Sequence, residues 1–98
     1  MRYTAYQLEE TKTDEREVLL NHMDEIHTTE MGADRIRRNL KINTADTVEY
    51  CKSRILDRSC KIYKRGKNWY CEVDNLKITI NACSYTIITA HIMKGASL

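Results

Sequence analysis

Residues 60–80, CKIYKRGKNWYCEVDNLKITI, decide the fold of this 98-residue chain. Apolar and polar residues alternate through three runs, which two short polar segments interrupt, RGKN at 65–68 and DN at 74–75. A period of two is that of a strand with one buried face, and such segments are typical of hairpin turns. A fourth alternating run, SYTIITAHI, follows at 84–92. The sequence therefore predicts a four-stranded antiparallel meander sheet over residues 59–94.

The preceding part of the chain, residues 13–56, has the period of helices instead. Three helices are predicted, over residues 13–27, 29–40 and 45–56. Residues suited to capping precede them, namely Thr13, then Thr28 or Thr29, then Asn43 and Thr44. The core-facing residues are expected to be Leu19, Met23 and Ile26, then Ala33, Ile36 and Leu40, then Val48, Cys51 and Ile55.

Helices followed by a meander predict an α+β protein, with about three N-terminal helices packed on one face of the sheet. The length favours one domain over residues 1–98, which buries about 60–65% of the surface of the unfolded chain. Residues 1–12 have no clear pattern, and an arm, a short strand or an early helical turn would all fit them.

The charge is unevenly distributed along the chain. Residues 1–34 have a net charge of −6 and residues 35–98 a net charge of +8, within an overall charge of +2. This asymmetry is typical of a molecule with one surface suited to a polyanion, although an ordinary solvated surface fits it as well. The four cysteines form no CxxC pair, so a zinc site is not expected. A chain of this length also leaves little room for a long buried cofactor cleft, so no cofactor is expected. No apolar run is long enough for a membrane helix, and a cytoplasmic protein with reduced thiols is the simplest prediction.

One face of the predicted sheet is unusually rich in aromatic and hydrogen-bonding side chains. Its members are expected to be Tyr63, Tyr70, Lys77, Thr79, Asn81, Tyr85, Thr89 and His91. Tyrosine rings stack on bases, and cationic side chains contact phosphates. A solvated sheet face made of good strand formers is the alternative interpretation.

Two sequence blocks carry a resemblance to a known family. The first is HTTEMGADRIRRNL at residues 27–40. The second is RGKNWY at 65–70, followed by ITIN at 78–81 and YTIITAH at 85–91. Together they resemble a family of small bacterial proteins, and the resemblance covers about residues 20–94.

More distantly, the layout is similar to the superfamily of small ribonuclease toxins that includes barnase, colicin nucleases and RelE-like toxins. That resemblance implies RNA lying across the open sheet face. His27 with Arg35 and Arg38 matches the pattern at the start of the toxin motif, and Thr89 with His91 matches its end. The chain departs from the pattern at Ile36, where methionine is usual, and it lacks the Arg-Gly-Ile step that often follows.

The residues that would cleave RNA without a metal ion are a base, an acid and a cation for the phosphate. His27 and His91 are predicted as the acid–base pair, because histidine titrates near neutrality. Arg35 or Arg38 is predicted to hold the phosphate, with Tyr85 and Thr89 orienting the reacting group. A loop residue at His27 and a strand-end hydrogen bond at His91 are the alternatives. The sequence leaves it open whether the chain is an endoribonuclease.

Nucleic acid is predicted to contact Arg38, Lys61, Lys64, Arg65, Lys67, Tyr70 and Asn81. The function expected is therefore that of a bacterial or mobile-element protein directed at RNA or a ribonucleoprotein.

A non-catalytic inhibitor of the anti-CRISPR or antitoxin type is the alternative function. Its acidic half would mimic a nucleic-acid backbone and block a nucleic-acid-binding effector. The residues concerned are Glu9, Glu10, Asp14, Glu15, Glu17, Asp24, Glu25 and Glu30. A homodimer formed through a free sheet edge is the third possibility.

Overall fold

A computed structural model describes residues 15–93 of the chain. Its helical part comprises α1, which includes residues 15–20, a 3-10 turn at Met23–Glu25, α2 at Glu30–Leu40 and α3 at Thr47–Ile55. Its strands are β1 at Lys61–Arg65, β2 at Asn68–Val73, β3 at Leu76–Asn81 and β4 at Ile87–Ile92. The α+β prediction, with helices first and a four-stranded meander afterwards, is confirmed.

The sheet has the order β1-β2-β3-β4, and every neighbouring pair is antiparallel. Two tight turns permit this order. Gly66 has φ +60°, and Asp74 and Asn75 have φ +51° and +68°. These left-handed conformations are the ones that Gly, Asn and Asp adopt at low cost, and hairpins require them. Both turns lie where the sequence predicts them.

The core lies between the helices and one face of the sheet. The strands contribute Trp69, Cys71, Val73, Leu76, Ile78, Ile80, Ile87 and Ala90, all buried. Ile36 and Leu40 of α2 and Cys51 and Ile55 of α3 pack against them. Burying one aliphatic side chain of this size stabilises a fold by about 1.5–3 kcal/mol. No helix within residues 15–93 is both long enough and apolar enough to cross a membrane.

The cap of α2 agrees with the sequence prediction, whereas the cap of α3 does not. Thr29 caps α2 as predicted, because its hydroxyl accepts from Gly32 N at 3.0 Å. The cap of α3 is Asp46 rather than Asn43 or Thr44, since Asp46 Oδ1 accepts from Glu49 N at 3.0 Å.

The first helix was expected to continue to residue 27, but α1 ends at Leu20. The chain then tightens into the 3-10 turn, and Ile26 is extended with ψ 130°. Ile26 is nevertheless buried, so its place in the core is confirmed although its place in the helix is wrong. The predicted cap Thr13 lies outside the described residues.

The start of β4 also corrects the sequence prediction. Strict alternation from Tyr85 to His91 predicts Ile87 on the open face with Tyr85 and Thr89, and Ile88 in the core. In the structure Ile87 is buried and Ile88 is 40% exposed. The reason is a bulge: Ile80 pairs with Ile87 while Thr79 pairs with Thr89, so Ile88 is the extra residue. From Thr89 to His91 the predicted alternation is restored. Ile92, which the alternation also predicts in the core, is 43% exposed at the end of the strand.

Candidate functional site

The sheet face opposite the core, here called the open face, is organised in two rows that cross all four strands. Strand register aligns Tyr63, Tyr70, Thr79 and Thr89, which form the tyrosine–threonine row. It also aligns Lys61, Glu72, Lys77 and His91, which form the charged row. The two rows are two residues apart on each strand, about 7 Å. An aromatic and hydroxyl strip therefore runs beside a strip of charges.

The aromatic end of the open face is surrounded by cations. Tyr63 and Tyr70 stack with ring centroids 5.5 Å apart and an interplanar angle of 26°. Lys61 Nζ is 5.6 Å and Arg65 Cζ 5.4 Å from the Tyr63 centroid, and Lys77 Nζ is 5.0 Å from that of Tyr70. Exposed cation–π contacts are worth about 0.5–1 kcal/mol each, so these long side chains can exchange them for a phosphate at low cost.

The other end of the tyrosine–threonine row meets helix α2. Asn39 Nδ2 donates to Ala90 O at 3.2 Å and lies 3.5 Å from Thr89 Oγ1. Thr79, between Tyr70 and Thr89, is only 8% exposed. Thr89 is thus the more accessible hydroxyl, and Asn39 places a second polar group beside it at the sheet edge.

The two predicted catalytic histidines lie at opposite ends of β4. His27 forms a parallel bridge with Thr86, just before the strand, whereas His91 pairs with Lys77 near its end. Thr86 and His91 are five positions apart along extended chain, a distance of about 15 Å. Proton transfer at one reacting phosphate requires groups within hydrogen-bond reach. The geometry therefore does not bring this pair together as acid and base.

His27 is bound at both ring nitrogens. Its Nδ1 lies 2.8 Å from Glu25 O, and its Nε2 lies 3.1 Å from Thr86 Oγ1. A carbonyl oxygen only accepts, so Nδ1 carries a proton and donates it to Glu25 O. The His27 backbone also receives a hydrogen bond from Ile87 N at 2.7 Å. These contacts fasten the segment before α2 to the start of β4.

Tyr85 does not lie on the open face, which corrects its predicted location. It precedes β4 with φ +59°, packs against the core and stacks on His22 at 4.8 Å. Burial, and next the Glu25 carboxylate, raise the pKa of its phenol. Because of this left-handed backbone conformation, the Tyr85 side chain does not lie on the open face, where alternation along the strand predicts it.

The arginines of α2 divide into two kinds. Arg37 is structural, because it pairs with Asp34 at 2.6 Å and donates to Thr47 Oγ1 at 2.8 Å, which joins α2 to α3. Arg35 and Arg38 are exposed and form no ion pair within residues 15–93. Arg35 lies one helical turn before Asn39, on the side of α2 that meets β4.

Three of the predicted nucleic-acid contacts meet at the end of the sheet. A shallow cavity of about 540 Å³ is lined by Lys64, Gly66, Lys67, Asn81, Ala82 and Cys83. Asn81 is occupied within the loop, since its Oδ1 accepts from Cys83 N and Ser84 N. Lys64 projects from the helix side of β1, with Nζ 6.0 Å from the Trp69 ring centroid. Of the two basic residues that end β1, Lys64 therefore lies on the helix side of the sheet and Arg65 on the open face.

Sequence reasoning missed two residues of this surface. Glu72 lies between Lys61 and Lys77 in the charged row, and Asn39 reaches the strand from α2. The alternation with Cys71 and Val73 already places Glu72 on the open face. Nothing in the sequence signals Asn39 apart from its position four residues after Arg35.

The acidic surface required by the inhibitor interpretation is only partly described. Glu15, Glu17, Asp24, Glu25 and Glu30 are all exposed, and Glu25 contacts His22 Nδ1 at 2.7 Å. The predicted members Glu9, Glu10 and Asp14 lie outside the described residues. The inhibitor function stays a prediction.

These features define a class: a small α+β protein whose meander sheet is covered by helices on one face and has aromatic, hydroxyl and basic side chains on the other. The chain belongs to the family described as "Protein of unknown function (DUF3781)", whose profile matches residues 20–91. That range contains both rows of the open face and the segment that carries His27. No curated protein and no solved structure matches the chain. The distant similarity to ribonuclease toxins stays a prediction.

Proposed function

We propose that this protein binds single-stranded RNA across the open face of its sheet. The observation that supports this most is the stacked pair of Tyr63 and Tyr70, with three cationic side chains within 5.6 Å of the two ring centroids. Stacking of one base on an aromatic side chain is worth about 1–3 kcal/mol. This exceeds the cation–π contact that a base would displace, so the exchange favours binding.

The shape of the surface favours a single strand over a duplex. A sheet face cannot enter the deep, narrow major groove of A-form RNA, whereas splayed bases can lie flat on tyrosine rings. Thr89, with Asn39 beside it, offers hydroxyl and amide groups at the end of the same row. Such groups suit a 2′-hydroxyl, which is both donor and acceptor.

The proposal is one of binding, because the separation of His27 and His91 does not support paired acid–base catalysis. The layout that resembles ribonuclease toxins is consistent with RNA on this face in either case. His91 pairs with Lys77 across the sheet and lies two residues after Thr89 on β4, so it is the histidine to test for cleavage.

Binding is tested by fluorescence anisotropy with labelled single-stranded RNA, the DNA strand of the same sequence and duplex RNA. Tyr70→Leu removes the ring and keeps an apolar side chain. The affinity of this variant for single-stranded RNA should be at least fivefold lower than that of the parent chain, as expected for a stacking loss of about 1–3 kcal/mol. Tyr70→Phe should bind like the parent chain. Equal affinity of the parent chain and Tyr70→Leu would contradict the proposal.

A charge-matched pair tests the phosphate contacts. Lys77→Ala should weaken binding to every sequence and reduce the slope of log K against log salt by about 0.7. Arg58→Ala removes one positive charge from an exposed position outside the open face and serves as the control. The RNA recovered from each sample, kept in chelator, is run on a denaturing gel. Cleavage that disappears in His91→Ala would show that the surface also acts as a nuclease.

A further inference from the structure

Glu72 is a carboxylate between the two lysines of the charged row. Strand register places it opposite Lys61 on one side and Lys77 on the other. Yet Glu72 forms no ion pair within residues 15–93, because both lysines extend over tyrosine rings instead. A free carboxylate repels phosphate, so its presence on this face calls for a different ligand group.

The carboxylate is held in a fixed orientation. Tyr63 Oη donates to Glu72 Oε2 at 2.5 Å, and the Tyr63 ring is itself stacked on Tyr70. The hydrogen bond to Glu72, and next partial burial, raise the pKa of Tyr63, so the phenol stays a donor throughout the neutral range. A carboxylate has about four acceptor positions, two on each oxygen, and the phenol fills one of them. Both oxygens, Oε1 and Oε2, therefore keep a position that can accept.

The spacing relates Glu72 to the stacking surface. Glu72 and Tyr70 are two residues apart on the same face of β2, about 7 Å along the strand. A base that stacks on Tyr70 therefore directs one edge toward the Glu72 carboxylate. An ionised carboxylate can only accept hydrogen bonds, so it favours an edge that presents donors.

We infer that Glu72 selects guanine at the position that stacks on Tyr70. The Watson–Crick edge of guanine presents N1–H and the N2 amino group side by side, which matches the two oxygens of a carboxylate. Adenine and cytosine present one amino donor beside an acceptor nitrogen, and uracil presents one donor between two carbonyl oxygens. This inference rests on the proposed RNA-binding function and names the base that the same surface prefers.

The test compares oligouridine with the same oligonucleotide carrying one central guanine, by fluorescence anisotropy. The chain should bind the guanine-containing strand roughly tenfold more tightly, within the range for a bidentate base contact. Glu72→Gln, which is nearly isosteric, should lose this preference while binding oligouridine as well as or better than the parent chain. Tyr63→Phe keeps the ring and removes the donor, so it should reduce the preference without abolishing binding.

The outcomes separate this inference from the function on which it rests. If the chain binds both strands equally, or if Glu72→Gln keeps the full preference, the guanine selection is wrong and RNA binding stands. If the chain binds no oligonucleotide, the proposed function fails and the selection fails with it. Circular dichroism of each variant shows that the sheet is retained.

Discussion

Gly32 provides a test of how α2 is attached to the sheet. A Cβ added at Gly32 would lie 2.3 Å from Thr28 Oγ1 and 3.2 Å from Thr29 Oγ1. Thr28 Oγ1 donates to Ile87 O at 3.1 Å, and Thr29 Oγ1 is the cap of α2. Gly32→Ala therefore forces Thr28 out of the rotamer that bonds α2 to β4.

The magnitude follows from opposing contributions. Alanine favours a helix over glycine by up to about 1 kcal/mol. Against this, loss of the Thr28 hydrogen bond leaves the Ile87 carbonyl without that partner in a partly buried place, at a cost of about 1–3 kcal/mol. A displaced rotamer adds about 0.5–1.5 kcal/mol. Gly32→Ala should thus lower the free energy of unfolding by roughly 1–3 kcal/mol, even though alanine is the better helix former.

A double-mutant cycle isolates the contact. Thr28→Ala removes the obstructing oxygen and leaves Thr28 Cβ at an ordinary 3.6 Å from the added Cβ. The tightest contact that remains is Thr29 Oγ1 at 3.2 Å, which a small shift of that side chain relieves. In that background Gly32→Ala should become nearly neutral or stabilising by up to about 1 kcal/mol, so the coupling free energy should be about 1–4 kcal/mol. Urea unfolding followed by fluorescence of the single tryptophan, Trp69, measures all four proteins. Equal effects of Gly32→Ala in both backgrounds would refute the reasoning.

Three further predictions concern ionisable groups. Cys83 is the one exposed cysteine of the four, so an alkylating reagent should modify one thiol of the native protein, as detected by mass spectrometry. The Cys83→Ser variant should not be modified. The pKa of Tyr63 is raised, chiefly by its hydrogen bond to Glu72. The stabilising contribution of Tyr63 is therefore complete below the unfolded-state pKa of 10.0 and is lost as pH rises through the folded-state pKa. Glu72→Ala should lower the folded-state pKa of Tyr63, measured by ultraviolet difference titration. Hydrogen bonds from the Ser59 hydroxyl and then the Ser59 backbone lower the pKa of Asp57, so its contribution is present above 3.8 and is lost as pH falls through the folded value. Ser59→Ala should raise the Asp57 pKa measured by NMR, and an unchanged pKa would contradict the hydrogen-bond cause.

Most of the fold is predictable because the signals that specify it are local. The alternation through Trp69, Cys71 and Val73 and the Asp74-Asn75 turn determine strand and register within a few residues. The end of α1 and the bulge at Ile88 are not predictable in this way. Both depend on contacts with distant parts of the chain, where the segment at His27 bonds to Thr86 and Ile87.

The site was predictable to the extent that it follows from alternation. Tyr63, Tyr70, Thr79 and Thr89 share a face because strands alternate, and the structure adds that they form one row. The pairing of His27 with His91 could not be judged from the sequence, since it depends on where the first segment joins the sheet. The block that begins at His27 instead secures α2 against β4.

The attachment of α2 also determines how this sheet meets other molecules of its kind. On the β4 side, three backbone groups are already occupied: Ile87 O accepts from Thr28, Ile87 N donates to His27 O, and Ala90 O accepts from Asn39. On the other side, no segment within residues 15–93 pairs with the outer edge of β1, whose five residues include three cations. Two such edges would meet with like charges opposed, so edge-to-edge aggregation is resisted by hydrogen bonding on one side and by charge repulsion on the other. Only the second protection weakens as salt concentration rises.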